Sequence, residues 1–170
     1  AYFDVGYFLV QGIGTEKNPN AAIRWLEKAT ATRIEAHYQL AMIYWHGEGV
    51  TQNYQKAHEH ALRGAQLGDP SAQAITAIFE AQEGFQFSDP FDAYKWALIA
   101  NASGQPNIAG ALSETVAALE EALTPDQITQ AQTEASEWEP QKLEPVLPAD
   151  PIAIDLPVLD PDTTLGLSQQ

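Results

Sequence analysis

Small and apolar residues recur along the chain with the three- to four-residue spacing of an amphipathic helix. Ala36, Leu40 and Ala41, for example, fall on one helical face. An Asn-Pro pair at 18–19 and Asp-Pro pairs at 69–70 and 89–90 each supply a capping side chain followed by a proline suited to the first helical position. The pattern predicts eight helices, near residues 2–11, 19–31, 35–46, 53–67, 70–83, 90–103, 107–122 and 125–138.

This helical pattern repeats at an offset of 35 residues and again at an offset of 36. The segment Gly12-x-Gly14 matches Gly47-x-Gly49, and Gly6 matches Ala41 and Ala77, where small side chains let two helices cross closely. A helix pair repeated in this way buries its apolar face by stacking on its neighbours. We therefore predict an all-α fold, an α/α solenoid of stacked antiparallel helix hairpins, with repeats near 1–35, 36–71 and 72–105 and closing helices at 106–138.

Residues 139–170 differ in composition from the repeats. They contain six prolines and carry six acidic residues against one basic residue, which disfavours both helix and collapse. We predict an extended, non-helical tail. Its apolar positions are candidates for docking in a groove, either of its own solenoid or of a partner, as extended peptides do. These positions are Ile152, Ile154, Leu156, Val158 and Leu159.

Charge and composition exclude several function classes. The net charge is −15 with only eight Lys and Arg, which argues against nucleic acid and against anionic membrane surfaces as partners. Residues 106–138 contribute six acidic residues and no basic one. The chain has no cysteine, so disulfides and thiolate sites are excluded. No apolar run reaches the roughly 18 residues of a membrane span, so we expect no direct membrane insertion.

The first two copies carry a set of small, apolar, aromatic and basic residues, which are Gly6, Gly12, Gly14, Ala22, Trp25, Lys28 and Ala29 in the first copy, and Ala36, Leu40, Ala41, Tyr44, Gly47, Gly49, Val50, Lys56, Ala57 and Gly68 in the second. These residues resemble the pattern of Sel1-like repeats (SLR), relatives of tetratricopeptide repeats, and the resemblance covers roughly residues 1–138. The third copy departs from the pattern, with Thr76 and Glu80 in place of Leu and Tyr, and in the second copy His60 replaces the second-helix Trp.

The resemblance implies a bacterial scaffold or adaptor, with the periplasm or cell envelope favoured over the cytoplasm. Since the chain begins at Ala1 rather than Met, we expect its N-terminus to be processed or cut, with loss of a targeting segment as one alternative. Because Ala1 falls at the start of a repeat, the other alternative is that the chain is the C-terminal end of a longer array. By analogy with tetratricopeptide repeats, certain positions of each first helix face a concave groove, where aromatic residues and methionine suit protein recognition. The predicted groove residues are Phe3, Tyr7, Tyr38, Met42, Trp45, His46 and Ile78.

The residues with reactive or metal-binding side chains have simpler interpretations. The glycine pairs follow helices, so they indicate turns and not a nucleotide loop. His58 and His60 do not share a helix face, and a packed histidine is the favoured interpretation of His60. We therefore predict no catalytic residue, no metal site and no cofactor. A hydrolase would require His37, His46 and acidic residues to converge in one pocket.

These observations lead to one main functional hypothesis and one alternative. The main hypothesis is a non-catalytic scaffold or adaptor subunit that binds a protein or peptide, possibly within a multi-subunit complex, through its concave face and tail. The alternative is a regulator of a cell-envelope enzyme that acts on peptidoglycan or another polysaccharide. Both would share the same repeat pattern, so the sequence leaves the choice between them open.

Overall fold

The computed structural model describes residues 1–143, which fold as an α/α solenoid with no strand in that range. Helices α1 and α2, α3 and α4, and α5 and α6 form three antiparallel hairpins, and α7 and α8 close the array against α6. The eight helices of this range are α1 (Tyr2–Gln11), α2 (Pro19–Ala29), α3 (Glu35–His46), α4 (Tyr54–Gln66), α5 (Pro70–Glu80), α6 (Pro90–Asn101), α7 (Pro106–Ala122) and α8 (Pro125–Glu137).

The predicted helix starts are confirmed by their capping contacts. The side chains of Asn18, Asp69 and Asp89 each accept hydrogen bonds from backbone N–H groups of the following turn, ahead of a proline at the first helical position. Thr124 and Gln127 form the predicted capping box at the start of α8. Several helices end two or three residues earlier than predicted; α5, for example, ends at Glu80 instead of residue 83.

One backbone hydrogen bond closes the loop of each hairpin in the same way. The N–H of Asn18 donates to the carbonyl of Leu9 at 2.9 Å, and that of Asn53 donates to Tyr44 at 2.9 Å. The third hairpin repeats the bond from Asp89 to the carbonyl of Glu80, also at 2.9 Å. The third hairpin thus keeps the loop closure of the first two, although it lacks their Gly-x-Gly pair. All three loops have the same span, so the one-residue difference between the repeat offsets of 35 and 36 arises between Asn53 and Glu80.

Small residues allow the helices to cross closely, as predicted. Gly6, Ala41 and Ala77 are all buried on the first helices of their hairpins. A Cβ atom added at Gly6 would lie 2.7 Å from Cγ of Leu26 on α2, so a side chain at this position would force α1 and α2 apart.

The core runs continuously from one hairpin into the next. A first cluster joins α1–α4 and includes Leu26, Leu40 and Phe79, the last of which belongs to α5. A second cluster joins α4–α7 around Trp96 and Leu112, and it overlaps a third between α6, α7 and α8. Each hairpin thus buries its apolar face against the next one, which is how a solenoid is stabilised.

The chain beyond α8 first runs across the end of α4. The N–H of Gln141 donates to the carbonyl of Gln66 at 2.8 Å, and the guanidinium of Arg63 donates to Oε1 of Gln141 at 2.6 Å. Pro140 lies against Gly68, where an added Cβ would come within 3.0 Å of the proline ring. The five predicted tail-docking residues, Ile152, Ile154, Leu156, Val158 and Leu159, lie outside the described residues.

Candidate protein-binding site

A groove of about 610 Å³ lies between α5 and α7, two helices that both pack against α6. One wall comes from the end of α5 and the turn after it, the other from the second half of α7, and the start of α6 closes one side. Most of the lining side chains are apolar and several are small. The lining residues are Ile78, Ala81, Gln82, Glu83, Ser88, Pro90, Glu114, Thr115, Ala118, Leu119 and Ala122.

The charge of this groove is entirely negative. Glu83 and Glu114 line it and both are exposed, whereas no Lys or Arg is among the lining residues. The surrounding sequence has the same bias, because residues 64–141 contain twelve acidic residues and a single basic one, Lys95. The ammonium of Lys95 is already bound, at 2.5 Å from Asp92 and 3.5 Å from Glu134. The groove therefore combines an apolar floor with a negative potential.

Three of the predicted groove residues line cavities between neighbouring helices. Ile78 lies in the α5–α7 groove. Met42 and His46 line a smaller cavity of about 90 Å³ between α1 and α3, together with Val10. The predicted positions on α1, α3 and α5 thus fall into separate cavities.

Phe3, Tyr7 and Tyr38 are half-buried and lie nearer the start of the array. The rings of Phe3 and Tyr7 stack with centroids 6.2 Å apart, and the guanidinium of Arg33 lies 5.0 Å from the Phe3 ring. Burial raises the pKa of the Tyr38 hydroxyl, and the neighbouring Asp69 raises it further. Their role in partner binding stays a prediction.

Trp45 lies in an aromatic cluster that joins the second and third hairpins. Its ring stacks on Phe79 of α5 with centroids 3.9 Å apart and contacts Tyr54 and Phe85 at 4.8 and 5.6 Å. Phe87, from the same turn as Phe85, extends the cluster. Since its ring bridges two hairpins, Trp45 contributes to the stability of the array as well as lying at a predicted groove position.

His37 and His60 meet between α3 and α4, with their Nδ1 atoms 3.2 Å apart. The ring of His60 also stacks on Tyr44, so it is a packed histidine, as predicted. Burial, followed by the charges of His60 and Arg63, lowers the pKa of His37 from 6.5 to about 4. His46 lies at the opposite end of α3, nine residues or about 13 Å away along the helix. His37 and His46 therefore do not converge in the pocket that a hydrolase would require.

A second buried histidine contact joins α4 to α5. Nε2 of His58 lies 2.8 Å from Oε1 of Glu80, and the His58 ring stacks on Phe87 at 4.3 Å. Burial raises the pKa of Glu80, while the hydrogen bond from His58 opposes that effect. Oε2 of Glu80 has no hydrogen-bond partner among the described residues. Glu80 occupies the position of Tyr44 in the preceding repeat, so a polar contact replaces an aromatic one there.

Within residues 1–143, no three His, Asp or Glu side chains are grouped as metal ligands would be. None of the helices in the same range has the length and apolar character that crossing a membrane requires.

The α7 side of the large groove was not among the groove residues predicted from the sequence. The repeats were assigned only up to residue 105, and α7 was assigned as a closing helix. An offset of 36 continued from Ile78 and Gln82 reaches Glu114 and Ala118, and both line the groove. The periodicity therefore contained a signal for these residues, although α7 lacks the glycine turn that marks the first two copies.

Comparisons with known proteins agree with this architecture. The chain is 35% identical over 107 residues to the alginate biosynthesis protein AlgK of Pseudomonas syringae pv. tomato, a match that covers 62% of this chain but only 22% of AlgK. The chain thus spans less than a quarter of the length of that relative.

Two solved structures share the fold. A Sel1 repeat protein from Oxalobacter formigenes superposes with a TM-score of 0.62 at 25% identity, over 79% of this chain and 56% of that one. The SLR-fold protective antigen c5321 of uropathogenic Escherichia coli superposes with a TM-score of 0.52 at 20% identity, over 79% of this chain and 36% of the c5321 chain.

The family model for the Sel1 repeat matches residues 1–31 and 34–69, the first two hairpins. Sel1 repeats generally mediate protein–protein interaction, and the proteins matched here are bacterial. The hairpin geometry, the glycine turns and these matches agree that the first two hairpins of the chain are Sel1-like repeats.

Proposed function

We propose that this chain is a non-catalytic scaffold subunit that binds a partner protein within a bacterial cell-envelope complex. The observation that carries the proposal is the apolar groove between α5 and α7. An apolar cleft with a few polar groups at its edge is the usual form of a binding site. The groove lies between neighbouring helices of the array, and a solenoid presents such surfaces to its partners.

The similarity to AlgK supports a role at the cell envelope. That protein is named for the biosynthesis of alginate, which is a polysaccharide. This chain matches about a fifth of AlgK, so the partner and substrate of the whole relative do not transfer with the fold. The proposed role is limited to holding together proteins that make or move an envelope polysaccharide.

The same similarity also favours a second candidate, in which the chain regulates an envelope enzyme that acts on a polysaccharide. A regulator would change the activity of the bound enzyme, whereas a scaffold would change only its assembly. The two candidates therefore differ in the turnover rate of the purified complex with and without this chain.

The groove residues predicted from sequence contribute to the proposal in two ways. Ile78 contacts the partner directly in the α5–α7 groove, while Met42 and His46 extend the binding surface toward α1. Phe3, Tyr7 and Tyr38 would add aromatic contacts near the start of the array. The apolar positions of the tail, Ile152 to Leu159, supply a second contact to the same partner.

The proposal is tested by isolating the tagged full-length protein from the source bacterium after chemical cross-linking in cells. We expect at least one envelope protein to be recovered in a fixed ratio to the tagged chain. The variant Ile78→Asp should lower that recovery about tenfold, since it places a charge in an apolar contact.

Ala109→Asp serves as the matched control, because Ala109 is exposed on α7 and does not line the groove. Its recovery should equal that of the unmodified protein. A tagged chain recovered alone, with or without cross-linking, would contradict the scaffold proposal.

A further inference from the structure

The α5–α7 groove has features that define the chemistry of what it binds. We propose that it takes a protein segment in which an apolar side chain is flanked by Lys or Arg. This inference rests on the proposed function and adds to it the kind of partner surface that is recognised.

The geometry supplies a place for the apolar side chain. Ile78 on α5 and Ala81, directly after α5, line the groove opposite Ala118 and Ala122 of α7, and the alanines leave space where larger residues would fill the gap between the helices. The groove volume of about 610 Å³ falls within the range of sites that enclose a ligand group. An inserted Leu or aromatic side chain would lose its contact with water there, which is the main source of affinity.

The charges at the edge of the groove select the flanking residues. Glu83 follows α5 and Glu114 lies on α7, so the two carboxylates stand on opposite walls. Neither forms an ion pair with a Lys or Arg in the described range. Basic residues on both sides of the inserted side chain would pair with them, and the negative potential of residues 64–141 would speed the encounter.

The chain's own tail is a poor match for this groove. Residues 144–170 contain five acidic residues and no Lys or Arg, so their charge has the same sign as that of Glu83 and Glu114. A second copy of the chain matches less well too, because several cations of its first half lie over aromatic rings. Lys28 lies 5.5 Å from the Trp25 ring, and Lys56 lies 5.0 Å from the Tyr44 ring.

The probe for this inference is a fluorescein-labelled peptide with two adjacent leucines and two lysines on each side. Binding to the full chain is measured by fluorescence anisotropy at low and high salt. Two comparison peptides carry serines in place of the leucines or glutamates in place of the lysines. We expect only the original peptide to bind, with an affinity that falls as salt screens the charges.

Variants of the protein locate the binding. Ala118→Trp fills the groove and should weaken peptide binding at least about tenfold. Ala109→Trp adds the same side chain about two and a half turns away on the opposite side of α7 and should leave binding unchanged. The double variant Glu83→Gln, Glu114→Gln should weaken binding about fivefold and remove much of its salt dependence. Circular dichroism melts show that each variant is folded.

Equal binding to the wild type and to Ala118→Trp, or preference for the glutamate peptide, would overturn the inference. A chain truncated after residue 143 that binds the peptide far more tightly would show that the tail occupies the groove instead. Concentration-dependent dimers that Ala118→Trp abolishes would assign the groove to a second copy. If Ala118→Trp leaves the recovery of the cellular partner unchanged, this inference is refuted and the scaffold function stands. If the chain is recovered without any partner, the scaffold function itself is refuted.

Discussion

The two halves of this solenoid share one hairpin geometry and differ in charge and in their match to the repeat pattern. Residues 1–63 carry six acidic and six basic residues, whereas residues 64–141 carry twelve acidic residues and one basic residue. The Sel1 repeat model matches 1–31 and 34–69, which is essentially the first half. The third hairpin nevertheless closes its loop with the same backbone hydrogen bond. The backbone arrangement therefore tolerates a large change in charge and in consensus residues.

The difference also shows in how many acidic residues have a basic partner. In the first half Lys28, Arg33 and Lys56 lie over aromatic rings, and Arg33 also pairs with Glu35. In the second half the single basic residue, Lys95, lies over the Phe91 ring and is held by two carboxylates, so most of the acidic residues there have no basic partner. The first half is thus internally balanced, while the second half presents its charge to the surroundings. A binding site that relies on charge belongs in the second half.

The largest expected effect comes from removing the aromatic contact that joins the two halves. Trp45→Ala removes the ring that stacks on Phe79 and should reduce the free energy of unfolding by about 3 kcal/mol. Because neighbouring hairpins stabilise each other in a solenoid, unfolding should also separate into two steps. Urea titration followed by circular dichroism measures both effects.

Trp25→Ala is the matched control, since Trp25 is half-buried on α2 and contacts only the first hairpin through Tyr2 and Lys28 among its aromatic and cationic neighbours. Trp25→Ala should reduce the free energy of unfolding by less than half as much as Trp45→Ala, and its unfolding should show a single transition. Equal losses for the two tryptophans would mean that Trp45 does not join the halves.

A pair of helical glycines offers a medium-sized test, one in each half. Gly6→Val places a side chain against Leu26 and should cost about 2 kcal/mol of stability. Gly110 has open space around it, so Gly110→Ala should instead raise stability by up to about 1 kcal/mol through helix propensity. Thermal melts of the two variants check the opposite signs, and a stabilising Gly6→Val would refute the close crossing of α1 and α2.

The smallest expected effect is a dependence on pH that differs between the halves. His37 has its pKa lowered to about 4, mainly by burial, so the unfolded chain takes up a proton below pH 6.5 before the folded chain does. Its contribution is therefore lost as the pH falls from 6.5 toward 4. Burial raises the pKa values of Asp69 and Glu80, so the folded state binds those protons first and acid has the opposite effect there.

The comparison of wild type with His37→Gln isolates the first contribution. The urea midpoints of the two proteins should approach each other between pH 7 and pH 4.5, because only the wild type loses the contribution of His37 to the free energy of unfolding as the pH falls. Curves that stay parallel over this range would contradict a neutral, buried His37.

Most of the fold followed from local signals in the sequence. The helix starts carried Asn, Asp or Thr followed by proline, and the repeat spacing placed Gly6, Ala41 and Ala77 at the helix crossings. Helix ends were less accurate. The ends of α1 and α3 are marked by Gly12 and Gly47 and were predicted correctly, whereas α5 ends before Ala81 with no glycine to mark the position.

The site was harder to predict because it depends on contacts between repeats. Trp45 has the spacing of a groove residue, but the turn at 81–89 brings Phe85 against it, and only the folded chain shows that contact. His37 and His60 are 23 residues apart and meet through the packing of α3 on α4. The α7 wall of the groove lies outside the aligned repeats, so no role in the groove was predicted for Glu114 and Ala118.

The equal loop closures also bear on how the chain reaches its native state. Each closing hydrogen bond joins residues only nine positions apart, from Leu9 to Asn18, from Tyr44 to Asn53 and from Glu80 to Asp89. Contacts between residues so near in sequence lose little chain entropy on forming, and proteins rich in them fold quickly. Any hairpin can therefore serve as a nucleus onto which its neighbours dock, and the order of folding would depend on which hairpin is locally the most stable.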